Sequence, residues 1–196
     1  MKIIYFATSN KVKIIYAQKA LSGIGVKVKQ IKMDFNESRS YIPPAIAMEK
    51  AKEAYNILKA PVIVEDSGFF IKALGGFPMT HIHFALETLG IKHIVKAMSE
   101  EKNRQAFWLS TLAYVDHSQT KLFNYKEFGS IAKTLRPKKR RMMSDLWHIY
   151  IPTKDNPKKL ALSEMSPSYA KKYEDKMYNQ LNHFKKFSHW LIKVIK

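Results

Sequence analysis

Apolar and polar positions along the first third of the chain repeat in turn with the periods of strands and helices. They predict five elements in the order strand, helix, strand, helix, strand: Lys2–Thr8, Lys11–Ser22, Val26–Met33, Ala45–Leu58 and Pro61–Val64. The last strand is continuously apolar from Val62 to Val64, which is typical of a strand buried on both faces. This order predicts a twisted α/β sheet with helices on both sides.

The rest of the chain has a different organisation. After a turn at residues 75–78, the pattern predicts two short helices, a β-hairpin, a further strand and one long amphipathic helix: His83–Leu89, Ile91–Met98, Gln105–Asp116 with Thr120–Ile131, Leu146–Ile151, and Tyr169–Ile195. Lys133–Arg141 is predicted to be a basic loop. The two lobes that we expect are interleaved along the sequence, so we interpret residues 1–196 as a single α/β domain.

Composition and charge narrow the class of protein. The chain has 196 residues, of which 46% are hydrophobic, and no apolar run comes near the roughly 20 residues that span a membrane. It contains no cysteine, which excludes disulfides and cysteine–zinc sites, and its first residues turn polar too early for a signal peptide. Both features fit a cytoplasmic protein. The net charge of +18 predicts attraction to polyanions such as nucleotides or nucleic acid, without choosing among them.

Two adjacent carboxylates form the strongest candidate for chemistry. Glu65 and Asp66 directly follow the third predicted strand and precede Ser67 and Gly68. The carboxyl end of a buried strand is where open α/β sheets bind their ligands. Two carboxylates there are costly to desolvate unless a cation or a proton-transfer role compensates. The alternative interpretation is an ordinary strand end followed by a solvated turn.

A polar turn between the first strand and the first helix is the second candidate. Thr8, Ser9 and Asn10 offer hydroxyl and amide groups, and Lys13 adds a positive charge one turn into the helix. The amino end of a helix carries free N–H groups and a partial positive charge, which favour phosphate. The alternative is helix capping by Ser9 or Asn10 without any ligand.

Several motifs together resemble one known family. The pattern Thr8-x-Asn10-x-x-Lys13 resembles the opening motif of the inosine triphosphate pyrophosphatase family. Further matches follow in the family's order over residues 1 to about 100: Asn36-Glu37, Ala47-Met48-Glu49-Lys50-Ala51, Pro61 to Gly68, Ala73-Leu74-Gly75-Gly76-Phe77-Pro78 and Glu87-Thr88-Leu89-Gly90. Several spaced motifs in the right order are far more specific than any single one.

The resemblance implies a fold and a reaction. The fold is a long twisted mixed sheet with flanking helices, in two lobes around a central nucleotide cleft. Family members cleave a nucleoside triphosphate between its α- and β-phosphates, giving a monophosphate and pyrophosphate, and act on unusual purine nucleotides such as those of inosine and xanthosine. Mg²⁺ is the implied cofactor, because it neutralises phosphate charge and prefers oxygen ligands. We also expect a homodimer.

The same resemblance assigns roles to residues of this chain. Glu37 and one or both of Glu65 and Asp66 are the implied metal ligands, and Asp66 is also the implied base. Lys13 and Lys50 are expected to hold the phosphates, with Lys13 counted among the catalytic residues beside Asp66. The remaining substrate contacts expected in this half of the chain are Thr8, Ser9, Asn10, Ser67 and Gly68.

The carboxyl-terminal half departs from the family's pattern. The family's Phe-Gly-Tyr-Asp-Pro-type loop has no counterpart with glycine, and its aspartate falls on Asp145 in one register and on Trp147 in another. The base-reading Ser-His-Arg is replaced by roughly Glu174-Asp175-Lys176, with Lys171 and Lys172 next to the position of a further family lysine. Because lost hydrogen-bond partners mean lost discrimination, we expect an altered base specificity, a relaxed one or a weakened enzyme.

A paralogue without catalysis, which binds nucleotides or nucleic acid, is the alternative function. Its best support is the basic run Lys138–Arg141, although a solvated loop is the interpretation that we favour for that run. The retained acids Glu37, Glu65 and Asp66 favour an enzyme, because a polyanion binder has no evident need for them. We therefore expect nucleic-acid binding that is at most weak and non-specific. Because no apolar run is long enough to span a membrane, we also expect no membrane partner.

Overall fold

The protein is built on one mixed β-sheet. The computed structural model describes residues 2–36, 38, 40–140, 142, 144–179 and 182–195. In this part of the chain the strands are β1 (Lys2–Ala7), β2 (Val26–Ile31), β3 (Val62–Ile71), β4 (Pro78–Met79), β5 (Gln105–Val115), β6 (Thr120–Ile131) and β7 (Tyr150–Pro152). They lie in the order β2-β1-β3-β5-β6-β7, and β4 pairs with β3 outside this path. β1 is parallel to β2 and β3, whereas the β3–β4 and β6–β7 pairs are antiparallel.

Helices flank this sheet. They are α1 (Lys11–Leu21), α2 (Pro43–Leu58), α3 (Ile82–Thr88), α4 (Gly90–Ala97), α5 (Pro167–Asn179) and α6 (His183–Ile195). None of the helices in the described residues is both long and apolar enough to cross a bilayer. The mixed sheet with flanking helices confirms the predicted fold class.

The chain divides into two compact units that are interleaved in sequence. Unit 1 comprises Met1–Ser67, Ser110–Tyr125 and Leu181–Lys196, and unit 2 comprises Gly68–Leu109 and Lys126–Gln180. Strands β3, β5 and β6 each contribute residues to both units. The interpretation of the chain as a single domain stays a prediction.

The core of unit 1 has two parts, one on each face of its strands. Ile63 packs in one cluster with residues of α1 and α6, whereas Val62 and Val64 pack in another with the alanines of α2. Successive side chains of a strand point to opposite faces. Helices α1 and α6 therefore cover one face of β3 in this unit, and α2 covers the other.

The core of unit 2 is a separate apolar cluster. It includes residues of β3, α4, β5, β7 and α5, among them Phe69, Ile71, Ile94, Ala106, Tyr150 and Tyr173. The residues of the short turn before β7 also belong to it through Leu146 and Ile149, which are fully buried.

Strand β3 is longer than its apolar run predicts. Its parallel pairing with β1 reaches Ile63, but the strand continues to Ile71, and Phe69 and Phe70 pair with Met79 and Pro78 of β4. The burial of Phe69 and Ile71 in the core of unit 2 favours this extension. The prediction that the strand ends at Val64 is therefore wrong, and the two carboxylates lie inside a strand instead of after it.

Two further predictions are wrong in the carboxyl-terminal half. The segment predicted as a strand over Leu146–Ile151 begins as a 3-10 turn, Asp145–His148, because Ser144 accepts hydrogen bonds from Leu146 N–H and Trp147 N–H; only Tyr150–Pro152 is strand.

The long helix predicted over Tyr169–Ile195 is two helices, α5 and α6. The Asn182 side chain accepts a hydrogen bond from Lys185 N–H, as a residue at a helix start does. Each helix also packs in its own unit, α5 in unit 2 and α6 in unit 1. One continuous pattern of apolar residues thus serves two different cores.

Candidate active site

The first carboxylate on β3, Glu65, forms an ion pair with Lys13 of α1. Lys13 Nζ contacts Glu65 Oε2 and also donates a hydrogen bond to the Glu65 carbonyl oxygen at 3.3 Å. The Glu65 side chain is only 4% exposed, whereas that of Lys13 is 27% exposed. Burial alone would lower the pKa of Lys13, but the attraction of Glu65, aided by Asp66, raises it above its ordinary value. Lys13 is therefore a charged group held at the edge of the protein interior.

The second carboxylate, Asp66, has a different lysine. Lys50 Nζ of α2 donates to Asp66 Oδ2 at 3.0 Å and lies 5.9 Å from the centroid of the Phe35 ring. The Asp66 side chain is 18% exposed, more than that of its neighbour Glu65. Because adjacent strand residues point to opposite faces, the two carboxylates meet the helices on the two faces of β3. The structure thus brings four predicted site residues into two ion pairs on consecutive residues of one strand.

The polar turn before α1 is organised by its own side chains. Asn10 Oδ1 accepts hydrogen bonds from Val12 N–H at 2.9 Å and Lys13 N–H at 3.3 Å, so Asn10 caps the helix. Thr8 Oγ1 accepts from Asn10 N–H at 3.1 Å, and Ser9 is exposed. This is the capping that the sequence left open as an alternative. It fixes the direction of the first turn of α1, and with it the position of Lys13.

The predicted metal site is described only in part. Glu37 lies outside the described residues. Among the residues that the structure does describe, no three His, Cys, Asp or Glu side chains are grouped to hold a metal ion. Glu65 and Asp66 supply carboxylate oxygens, the ligands that Mg²⁺ prefers, and Mg²⁺ commonly binds through one or two carboxylates together with substrate phosphates. The donor chemistry of this strand therefore fits Mg²⁺.

Ser67 and Gly68 follow Asp66 within β3. Ser67 is half-buried. A Cβ atom on Gly68 would lie 2.9 Å from the carbonyl oxygen of Met79 and 2.9 Å from the Phe70 ring. The absence of a side chain at Gly68 thus lets β4 pack closely against β3, a structural reason for this glycine in unit 2.

In unit 2, one of the predicted substrate residues, Trp147, lies beside an arginine that the sequence analysis assigned to a solvated loop. Arg140 Nη1 donates to Glu174 Oε1 at 2.7 Å, and the Arg140 guanidinium lies 4.5 Å from the centroid of the Trp147 ring. The Arg140 side chain is 13% exposed, so for this residue the prediction of a solvated loop is wrong. Lys138 and Lys139 are exposed, as predicted.

The other residues predicted for this region are more peripheral. Asp145 is exposed at the start of the 3-10 turn, and Lys171 and Lys172 are exposed on α5. On the inner side of unit 2, Glu127 of β6 accepts a hydrogen bond from the Tyr173 hydroxyl. Burial raises the pKa of Glu127 to about 7, although that hydrogen bond acts in the opposite direction.

His183 is the residue near the site that the sequence analysis missed. It begins α6, and its Nε2 lies 3.9 Å from Glu65 Oε1. Burial lowers the pKa of His183 to about 4; Lys13 and Lys186 also lower it, and Glu65 opposes them. A single histidine in an amphipathic pattern carries no motif, and only the packing of α6 in unit 1 reveals its neighbour.

Comparison with known proteins identifies the family. The sequence model of the Ham1 family matches residues 4–178. The dITP/XTP pyrophosphatase of Hyperthermus butylicus is 33% identical over 135 residues, 69% of this chain and 71% of the relative. That of Methanopyrus kandleri is 37% identical over 116 residues, 59% of this chain and 61% of the relative.

Solved structures agree with this result at the level of the fold. The HAM1 protein of Coxiella burnetii superposes with a TM-score of 0.76 at 18% identity, over 100% of this chain and 98% of that one. The Ham1 protein of Staphylococcus aureus gives a TM-score of 0.74 at 18% identity, over 99% and 98%. These structures place the chain in one class of mixed α/β proteins. With the family match, the conclusion is specific: the chain belongs to the Ham1 family, which confirms the resemblance seen in the sequence.

Proposed function

We propose that this protein is a Mg²⁺-dependent nucleoside triphosphate pyrophosphohydrolase with an altered base specificity. The class of enzyme is supported by the family membership and by relatives that are named dITP/XTP pyrophosphatases. The observation that carries the proposal is the pair of ion pairs on β3, Lys13 with Glu65 and Lys50 with Asp66. The homodimer and the cytoplasmic location stay predictions.

The two lysines are proposed to hold the phosphates. Their side chains are 27% and 28% exposed, and each ammonium group rests against a carboxylate. A triphosphate carries more negative charge than either carboxylate and offers more oxygen acceptors. The carboxylates therefore keep the lysines charged and positioned until a phosphate chain replaces them as partners. Thr8, Ser9, Asn10, Ser67 and Gly68 are proposed to border the same ligand.

Asp66 is the proposed base. It is more exposed than Glu65, and the hydrogen bond from Lys50 fixes its Oδ2. When Lys50 moves to a phosphate, this oxygen becomes available to accept a proton from the attacking water. Mg²⁺, when bound, would neutralise phosphate charge, and Asp66 and Glu37 are the proposed ligands. Glu65 is the poorer candidate ligand, because it is almost fully buried and paired with Lys13.

The base specificity is proposed to differ from that of the named relatives. Glu174 occupies part of the segment that replaces the expected Ser-His-Arg, and it binds Arg140, which in turn lies over Trp147. Asp145, Lys171 and Lys172 are exposed nearby in sequence. The Glu174 carboxylate is an acceptor at a place where the expected Ser-His-Arg would offer donors, and this difference supports a redirected or relaxed choice of base.

A screen of pyrophosphate release tests the proposal. The full chain is assayed with the triphosphates of adenosine, guanosine, cytidine, uridine, inosine and xanthosine, with and without Mg²⁺. We expect Mg²⁺-dependent release from at least one of them, with a preference for inosine over adenosine or guanosine that is weak or reversed. Asp66→Asn should lower turnover about 100-fold or more, while Asp34→Asn serves as a matched control. Release that is unchanged in the folded Asp66→Asn variant would remove Asp66 from the mechanism.

A further inference from the structure

His183 is a buried histidine whose ring nitrogens have no hydrogen-bond partner among the described residues. Its side chain is 11% exposed, and neither Nδ1 nor Nε2 makes a hydrogen bond there. The ring packs 4.4 Å from that of Phe184 and 6.4 Å from that of Tyr125, measured between centroids. A buried polar group without a hydrogen bond is costly, and such groups in native proteins commonly have a functional reason.

Of the charged groups around this ring, Glu65 is the one that can accept a hydrogen bond from it. Lys13 and Lys186 are cations, and Lys186 Nζ donates to the Asn124 carbonyl oxygen at 2.7 Å. Glu65 is the anion, with its Oε1 3.9 Å from His183 Nε2, a distance too long for a hydrogen bond. An imidazole has at least one N–H to donate, whether it is neutral or protonated.

The proposed function creates a need for such a donor. If Lys13 moves from Glu65 to a phosphate, the Glu65 carboxylate stays behind, 4% exposed and without its cation. A buried carboxylate that loses its partner is strongly destabilised. The free energy needed to release Lys13 would therefore weaken phosphate binding unless another group takes its place beside the carboxylate.

We propose that His183 is a positioning residue. Its imidazole N–H donates a hydrogen bond to the Glu65 carboxylate when Lys13 leaves that carboxylate to bind the triphosphate. The exchange needs only a small shift of the carboxylate toward Nε2, since the two atoms are already 3.9 Å apart. This inference rests on the proposed phosphate-binding role of Lys13. It assigns a function to a residue beyond the segment, residues 4–178, that matches the family model.

Calorimetric binding of inorganic triphosphate with Mg²⁺ tests the exchange without depending on any base. His183→Phe keeps an aromatic ring against Phe184 but removes both nitrogens, and it should raise the Kd about tenfold. His183→Gln keeps an N–H donor and should stay within about threefold of the unmodified protein. His189→Phe, at an exposed histidine of the same helix, is the matched control and should leave the Kd unchanged.

A double-mutant cycle separates this role from simple packing. With Glu65→Gln in place there is no buried charge to stabilise, so His183→Phe should then change the Kd less than about twofold. An equal effect of His183→Phe in both backgrounds, or equal losses for the Phe and Gln variants, would overturn the inference. Thermal unfolding is measured for each variant, and His183→Met replaces the Phe variant if that one does not fold.

Lys13→Ala distinguishes the two proposals. If it leaves triphosphate binding intact, or if the unmodified protein does not bind triphosphate, the proposed phosphate site fails and the exchange fails with it. If Lys13→Ala weakens binding while His183→Phe does not, only the role of His183 is wrong.

Discussion

At the scale of single residues, the main feature is that Glu65 and Asp66 form ion pairs with different lysines. Lys13 is 52 residues from the first and Lys50 is 16 residues from the second. Because the two side chains point to opposite faces of β3, they can respond to a ligand separately. Loss of one lysine should therefore remove one phosphate contact and leave the other.

This separation predicts the effect of removing either lysine. Lys13→Ala and Lys50→Ala should each weaken the binding of a nucleoside triphosphate more than that of the nucleoside, because a positive charge on phosphate is lost. Equilibrium binding of both ligands measures the difference. Lys11→Ala and Lys52→Ala, at exposed lysines of the same two helices, are the controls. Equal losses for nucleoside and triphosphate would contradict the assignment.

Glu127 predicts a specific pH dependence of stability. Its pKa is raised from 4.5 to about 7 in the folded protein, mainly by burial. The folded state therefore holds a proton that the unfolded state has released, and the contribution of Glu127 to stability falls as the pH rises from about 4.5 to about 7.

Urea unfolding at pH values from about 4.5 to about 7 checks the sign of this pH dependence. The stability of the unmodified protein relative to Glu127→Gln should decrease as the pH rises, since the amide cannot ionise. Glu100→Gln, at an exposed glutamate of the same unit, should show no such trend. A relative stability of Glu127→Gln that is independent of pH would contradict the raised pKa.

At the scale of elements, the β5–β6 hairpin is set by a single aspartate at its turn. Asp116 accepts hydrogen bonds from Ser118 N–H and Oγ–H, from Gln119 N–H and from the Tyr114 hydroxyl, all between 2.6 and 3.0 Å. Burial would raise the pKa of Asp116, but these hydrogen bonds lower it to about 2. The carboxylate thus ties the end of β5 to the residues of the turn.

Removing this carboxylate should loosen the hairpin. Asp116→Ala should lower the free energy of unfolding by about 2 kcal/mol, because several donors lose a charged acceptor. The loss should be present near neutral pH and should shrink as the pH falls below 3.8 toward 2, where the native carboxylate is itself protonated. His117→Ala, at an exposed residue of the same turn, is the control in chemical denaturation. An alanine variant as stable as the unmodified protein would show that the turn forms without Asp116.

The sequence predicts correctly those elements that are determined by interactions between neighbouring residues. The hairpin and α1 are predicted within a residue or two, since a turn aspartate and a capping asparagine act on their immediate neighbours. The extension of β3 depends on β4 and on the core of unit 2, and the division between α5 and α6 depends on which core each helix joins. The pairing of Glu65 with Lys13 and the position of His183 depend in the same way on packing between distant segments.

At the scale of the whole molecule, the net charge of +18 raises the question of polyanion binding. The basic run from Lys138 is only partly available for this purpose, because Arg140 is engaged by Glu174 and Trp147. For a nucleotide enzyme we expect that single-stranded DNA binds weakly, without sequence preference, and that its affinity falls steeply with salt.

A salt titration of DNA affinity separates the two classes of function. We expect little binding at physiological salt, and no more than a modest further loss in the Lys138→Gln/Lys139→Gln double variant. A binding protein instead of an enzyme would give a different set of results. DNA binding would persist at physiological salt, the double variant would lose it and Asp66→Asn would keep it. No pyrophosphate would be released from any triphosphate.

The packing of α6 also has a consequence for how the chain folds during synthesis. Phe184, Phe187 and Leu191 complete the cluster that buries Ile4 and Phe6 of β1. Before α6 has left the ribosome, this face of the first strand can therefore be covered by α1 but not by α6. Contacts so distant in sequence slow folding and prolong the exposure of apolar surface. Unit 1 begins first on the ribosome but finishes last, so a nascent chain stalled before residue 183 should depend most on chaperones.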